Sequence, residues 1–201
     1  MASKASPARK ARGAAAPSHN EASVFGRTEP GAAWLEAWPG GRPPRLTVDT
    51  SALNARGSVP AMNLIERWAA EGRVELFVPP EVLEEARAHR GRKGRAMYAA
   101  KARALDGGIR AAGEGDAAAG GMTPEEAGAI LFPHTQPGRM TPSQRRDARI
   151  VALHRRMGND VFLTLDTRHF IQKGRRERLA ARGVRVMTPA EFAAWAAGRM
   201  G

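Results

Sequence analysis

Val161-Phe162-Leu163-Thr164-Leu165 is the stretch on which the fold turns, and it runs straight into Asp166. A short run of apolar and β-forming residues reads as a strand. Working outward, Leu46-Thr47-Val48 is a second such run, and it also ends in an acid, Asp49. Val74-Glu75-Leu76-Phe77-Val78 is a third, stopped by Pro79-Pro80, and Val184-Arg185-Val186-Met187 is a fourth. Helical spacing fills the intervals. Pro60 to Glu71 places Met62, Leu64, Ile65, Trp68 and Ala69 on one stripe, and Gly72 closes it. Further helices are expected from Glu81 to about His89, from Arg95 to Leu105 and from Gly174 to Arg182. Thr123-Pro124, Thr141-Pro142 and Thr188-Pro189 each set a cap before a first-turn proline, opening helices that include 141–157 and 188–197. Strands alternating with helices predict an α/β fold with a mainly parallel sheet and helices on both faces.

The chain has 201 residues, enough for one ordinary domain and a tail. Residues 45–201 read as the domain. Residues 1–44 read as a flexible basic tail, with no apolar period up to Pro17. The tail's exception is Ala32 to Trp38, which carries Trp34 and Trp38 and suits docking on its own domain or on a partner protein. A Gly/Ala-rich insertion at about 106–122 reads as a flexible loop. No apolar run approaches the roughly 20 residues of a membrane span, and no secretory leader is recognisable. There are no cysteines, which excludes disulfides, thiolate zinc sites and a cysteine nucleophile. The expectation is a cytoplasmic protein with no membrane partner.

The net charge is +12, and it is uneven: residues 136–201 hold 14 basic groups against 5 acidic ones. Such a field fits a polyanionic partner, while solvated arginines are the plainer alternative.

Asp49 and Asp166 follow strands, and open α/β sheets bind ligands at the carboxyl ends of their strands. Asp147 precedes Ile150 by three and Val151 by four, so it shares their core-facing stripe. It also fits a first-turn acid serving the helix dipole. A fourth acid lies among Glu81, Glu84 and Glu85, and spacing alone does not separate Glu84 from Glu85. Carboxylates gathered from separate segments repel unless a cation sits between them. All-oxygen ligands suit Mg²⁺ or Mn²⁺. With a basic surface beside it, such a site is built to cut a phosphodiester.

Four segments, in order, resemble the motifs of PIN-domain nucleases, including the VapC-like toxins. Leu46 to Leu53 is similar to the first, a strand ending in Asp-Thr/Ser. Phe77 to Glu85 is similar to the second, whose final Glu is the metal-site acid; that selects Glu85. Asp147 to Ala152 resembles the helix of the third acid, and Leu163 to Phe170 the closing Thr-x-Asp motif. The resemblance covers about residues 45–197. It implies a three-layer α/β/α sandwich and a metal-dependent endoribonuclease. The metal-site acids it implies are Asp49, Glu85, Asp147 and Asp166, with Thr50, Ser51 and Thr164 as supporting polar groups. Protein partners implied by the family are an antitoxin or a second copy of the chain. The stretch from about Arg90 to Met140 is longer and richer in glycine than in compact members of the family.

RNA phosphates are expected at Arg145, Arg146, Arg149, Arg168, Lys173, Arg175 and Arg176, which flank the third and fourth acids. His89, His134, His154 and His169 have no metal-like spacing. His154 reads as a core residue. His169 lies near Asp166 and suits a phosphate contact, but the resemblance assigns it no role. Other readings compete: an RNA-processing nuclease or a structure-specific DNA nuclease of the same fold, a Mg²⁺ phosphatase, and a nucleic-acid-binding module that does not cut.

Overall fold

In a computed structural model, residues 41–88, 109–111 and 121–199 are described, without the side chains of 85–88 and 109–111. Strand β1 is Arg45–Val48, and its last three residues are buried. Helices α1 (Thr50–Asn54) and α2 (Pro60–Ala70) follow. Then come β2 (Glu75–Val78), α3 (Pro80–Ala88) and β3 (Ile109–Ala111). The second half holds α4 (Pro124–Leu131), α5 (Pro142–Arg156), β4 (Val161–Leu163) and α6 (Thr167–Phe170). It closes with α7 (Arg175–Ala180), β5 (Val186–Met187) and α8 (Pro189–Ala197). The molecule is a three-layer α/β/α fold.

The sheet runs β3-β2-β1-β4-β5, and every neighbouring pair is parallel. The chain builds outward from β1 to β3, then returns to β1's other side for β4 and β5. Strand order therefore reverses between β1 and β4, and there the carboxyl ends leave a crevice.

Local chemistry explains the elements. Thr123, Thr141 and Thr188 each accept a hydrogen bond from the N–H three residues on. In return Glu126, Gln144 and Glu191 accept from the cap backbone, which completes three capping boxes. Each cap contributes about 1 kcal/mol and sets where its helix starts. On α2, Met62, Ile65 and Trp68 are buried, while Leu64 and Ala69 only pack against the core edge. Helix α2 ends at Gly72, whose φ of +71° is cheap for glycine alone. Helix α2 packs with α8, and α4 packs with α5 and α7.

The core joins Leu46, Val48, Leu76, Val78, Phe162 and Leu163 of the sheet to Ile65, Ile150, Val151 and Phe192 of the helices. One polar cluster crosses it. Thr47 Oγ1 lies 2.8 Å from His154 Nδ1 and accepts from Asn159 Nδ2 at 2.8 Å. His154 is wholly buried, as a core histidine, and its ring meets Phe162 edge-on at 5.6 Å.

Two sequence expectations change. The 106–122 insertion contains β3, which the sequence read as loop; three residues beside glycines carry too little β signal, and pairing with β2 makes the strand. Strand β4 stops at Leu163, so Thr164 and Leu165 form a connection to Asp166, not the strand's last turn of pleat. Residues 1–40, His89, the basic run 90–95 and the expected helix 95–105 lie outside the described residues. Where the description begins, Arg42 forms a paired contact with Asp160 at 2.8 and 2.9 Å, which fastens the entry to β1.

Candidate metal centre at the switch point

Asp49 sits one residue past β1, and its N–H still bonds Leu163 of β4 at 3.0 Å. It is only 5% exposed. As the N-cap of α1 it keeps an extended backbone, and Oδ2 accepts from the Ser51 N–H. The same oxygen accepts from Ser51 Oγ at 2.7 Å and from Thr164 Oγ1 at 2.9 Å. Burial pushes the Asp49 carboxyl above its ordinary range, and hydrogen bonds from Ser51, Thr164 and the Thr50 backbone pull partly back. Every group in that balance is neutral. Among the described residues, Asp49 is held by neutral donors alone, so burial disfavours its charged form.

The hydroxyls also reach the second acid. Ser51 Oγ accepts from the Leu165 N–H at 2.9 Å, and Thr164 Oγ1 accepts from the Asp166 N–H at 3.0 Å. Asp166 caps α6 in turn. The His169 N–H donates to Oδ1 at 3.1 Å, and His169 Nδ1 lies 2.8 Å from Oδ2. Asp49, Ser51, Thr164, Asp166 and His169 are thus one hydrogen-bonded chain across the ends of β1 and β4. Leu165, between the last two acids' supports, is exposed at 37%.

Asp147 is half-buried on α5. Helix α5 runs antiparallel to β1. His154 meets Thr47, while Arg45 at the start of β1 donates to the Met157 carbonyl at 3.2 Å and to Asp160 at 2.8 Å. Asp147 is seven residues before His154, hence on the same stripe and roughly 10.5 Å closer to the helix start. Asp49 is two residues past Thr47, roughly 6.6 Å along the strand and on the same face. The helix therefore carries Asp147 past Thr47 toward the end of β1 where Asp49 stands.

Glu85 lies within α3, and its side chain is outside the described residues. Glu84 is exposed. Glu81 instead turns toward α5, where one carboxylate oxygen is buried without a hydrogen-bond partner among the described residues. With Arg149, Leu153 and Arg156 it lines a cavity of about 260 Å³. Among the described residues, no three acidic or histidine side chains stand close enough together to hold a metal ion. The network brings together two of the four acids, Asp49 and Asp166, and carboxylate oxygens are the ligand class a hard cation prefers.

The basic residues divide. Arg149, Arg168 and Lys173 are exposed. Arg145 donates to the Met140 carbonyl, and Arg146 is half-buried. Arg175 donates to the carbonyls of Leu131, at 2.6 Å, and of Arg168, at 3.0 Å. Arg176 holds both oxygens of Glu191 at 2.9 Å. These last two guanidiniums brace α7 against α4 and α8, a use that sequence position alone did not reveal. His169 is the residue of the network to which the sequence reading gave no role in holding an acid. The available signal was its three-residue spacing from Asp166.

Among the described residues, no helix is long and apolar enough to cross a membrane. No protein-family model matches the sequence, and no curated protein matches it.

Proposed function

We propose that the chain is a divalent-metal-dependent endoribonuclease of the PIN-domain kind. The observation that carries this reading is the Asp49 carboxyl group, buried at the switch point with neutral donors alone among the described residues. Protein interiors tolerate such a charge at a cost, and a cation offsets it. Asp49 and Asp166, with Asp147 and Glu85 from α5 and α3, are the residues that would hold Mg²⁺ or Mn²⁺. The chemistry such a cation supplies is activation of water and neutralisation of charge on a phosphate.

RNA as the substrate is supported by the basic final third and by the four motifs in order. Arg149, Arg168 and Lys173 are the phosphate contacts we favour, because Arg175 and Arg176 are already bonded to protein. A cytoplasmic setting and a protein partner, an antitoxin or a second copy, belong to the same reading.

The test is cleavage of a panel of structured and single-stranded RNAs with Mn²⁺, Mg²⁺ or EDTA, wild type beside Asp49→Asn. Metal-dependent cutting that the variant lacks supports the proposal. Cutting that persists in EDTA, or equally in Asp49→Asn, overturns the site. Cutting of DNA or phosphate monoesters in preference to RNA overturns the substrate.

A further inference from the structure

Resting on that metal-site reading, we propose that His169 is a positioning residue that fixes the plane of the Asp166 carboxylate. Asp166 is held on two sides. Its backbone N–H is anchored on Thr164 Oγ1 at 3.0 Å, so the main chain is set by the end of β4. Among the described residues its side chain is held by His169: the backbone N–H donates to Oδ1 at 3.1 Å, and ring Nδ1 lies 2.8 Å from Oδ2. A carboxylate oxygen is an acceptor, so the tautomer this contact uses is the one that donates from Nδ1.

The second bond does what the first does not. The terminal torsion of an aspartate is broad and two-fold, so a single bond at Oδ1 leaves the carboxylate free to swing. A bond at each oxygen defines its plane. Each carboxylate oxygen offers about two acceptor positions. One on each is used by His169, and one on each remains for a cation. The ring itself is steadied from α4. Phe132, at the end of that helix and 6% exposed, meets it edge-on with centroids 5.7 Å apart. The end of helix α4 therefore reaches the Asp166 carboxylate through one aromatic contact and one hydrogen bond. Groups that support a metal's ligands in this way tune affinity by roughly 10–100-fold.

The imidazole is 37% exposed, so a change there is not a core substitution. His169→Leu keeps bulk against Phe132 and removes the donor. His169→Asn places an amide N–H where Nδ1 stands. The measurement is Mn²⁺ affinity of the full chain, read from the electron paramagnetic resonance of the free ion, with melting temperature as the fold control. His169→Leu should bind Mn²⁺ about tenfold or more weakly, His169→Asn should recover most of that loss, and both should melt like wild type. Wild-type affinity in His169→Leu, with Asp166→Asn impaired, overturns the role of His169 and leaves the metal site standing. Equal weakness in His169→Leu and His169→Asn also overturns it, because the donor would not be what matters. If neither Asp49→Asn nor Asp166→Asn alters Mn²⁺ binding, the metal reading falls and this inference with it.

Discussion

Thr164 Oγ1 donates to Asp49 Oδ2 at 2.9 Å across 115 positions of sequence. The same hydroxyl accepts the Asp166 N–H and stands 3.1 Å from Ser51 Oγ. A hydroxyl has one proton. Both Thr164 and Ser51 give theirs to Asp49, which leaves each oxygen to receive a backbone N–H from the β4 end. The two hydroxyls therefore tie the buried Asp49 carboxyl group, just past β1, to a fixed position for the segment that carries Asp166.

Thr164→Val keeps the shape and removes this junction. It leaves the Asp49 oxygen short of a donor and the Asp166 N–H short of an acceptor. The expected cost in stability is about 1–3 kcal/mol, and RNA cleavage should fall on the order of 10–100-fold. Thr164→Ser, which retains the hydroxyl, should stay close to wild type in both. Urea denaturation and initial cleavage rates on one RNA read the two effects separately.

Asp49→Asn should abolish cleavage and yet raise the melting temperature at neutral pH. The raised carboxyl favours folding below the unfolded value, and that contribution is lost as pH rises through the folded value. Above the unfolded value the carboxyl group therefore opposes folding, and an amide does not. The variant's advantage should shrink as pH approaches 4. Adding Mn²⁺ should stabilise wild type and leave the variant unmoved. A variant that melts lower than wild type at pH 7 would count against an uncompensated charge at this position.

His154 predicts an acid weakness. Burial lowers its pKa to about 3, with Arg155 and Arg185 acting in the same direction. The unfolded chain takes up a proton near pH 6.5 and the folded chain does not, so stability falls as pH drops below 6.5 and continues falling toward 3. The slope is about 1.4 kcal/mol per pH unit, or about 2 kcal/mol between pH 7 and 5. His154→Leu loses the Thr47 contact and is less stable at pH 7, but its stability should vary less over that interval. Denaturant midpoints at pH 7, 6 and 5 give the comparison; parallel curves for the two proteins would sink the prediction.

The arginines should separate by role. Neutralising Arg149, Arg168 and Lys173 together should weaken RNA binding more at 50 mM salt than at 200 mM, and reduce the slope of log affinity against log salt. Arg175→Met should instead lower the melting temperature, since it removes donors to the carbonyls of Leu131 and Arg168. Filter binding across a salt series and thermal melts suffice. An unchanged slope in the triple variant removes those residues from the footprint.

Much of the architecture was legible because its signals are local. A Thr-Pro pair with an acid or amide at the right offset starts a helix by satisfying that helix's own first N–H groups, as Thr141 and Gln144 do. Apolar spacing marked the inward stripe of α5, and the two aspartates that follow strands β1 and β4 stood out by position. Strand β3 was hidden because Ile109, Arg110 and Ala111 are made a strand by the ladder of β2 beside them. Arg175 and Arg176 read as surface charge because their acceptors, Leu131 and Glu191, lie 44 and 15 residues away.

By itself the sequence determined the capped helix starts and four of the five strands in outline, and that acids follow two of those strands. These depend on a residue and its near neighbours. Only the tertiary structure decided that β1 and β4 lie side by side, with Val48 opposite Leu163, and so that Asp49 and Asp166 share Ser51 and Thr164. Strand order and register arise from hydrogen bonds between distant backbones that are chemically alike. No residue names its partner across a sheet until the whole core packs.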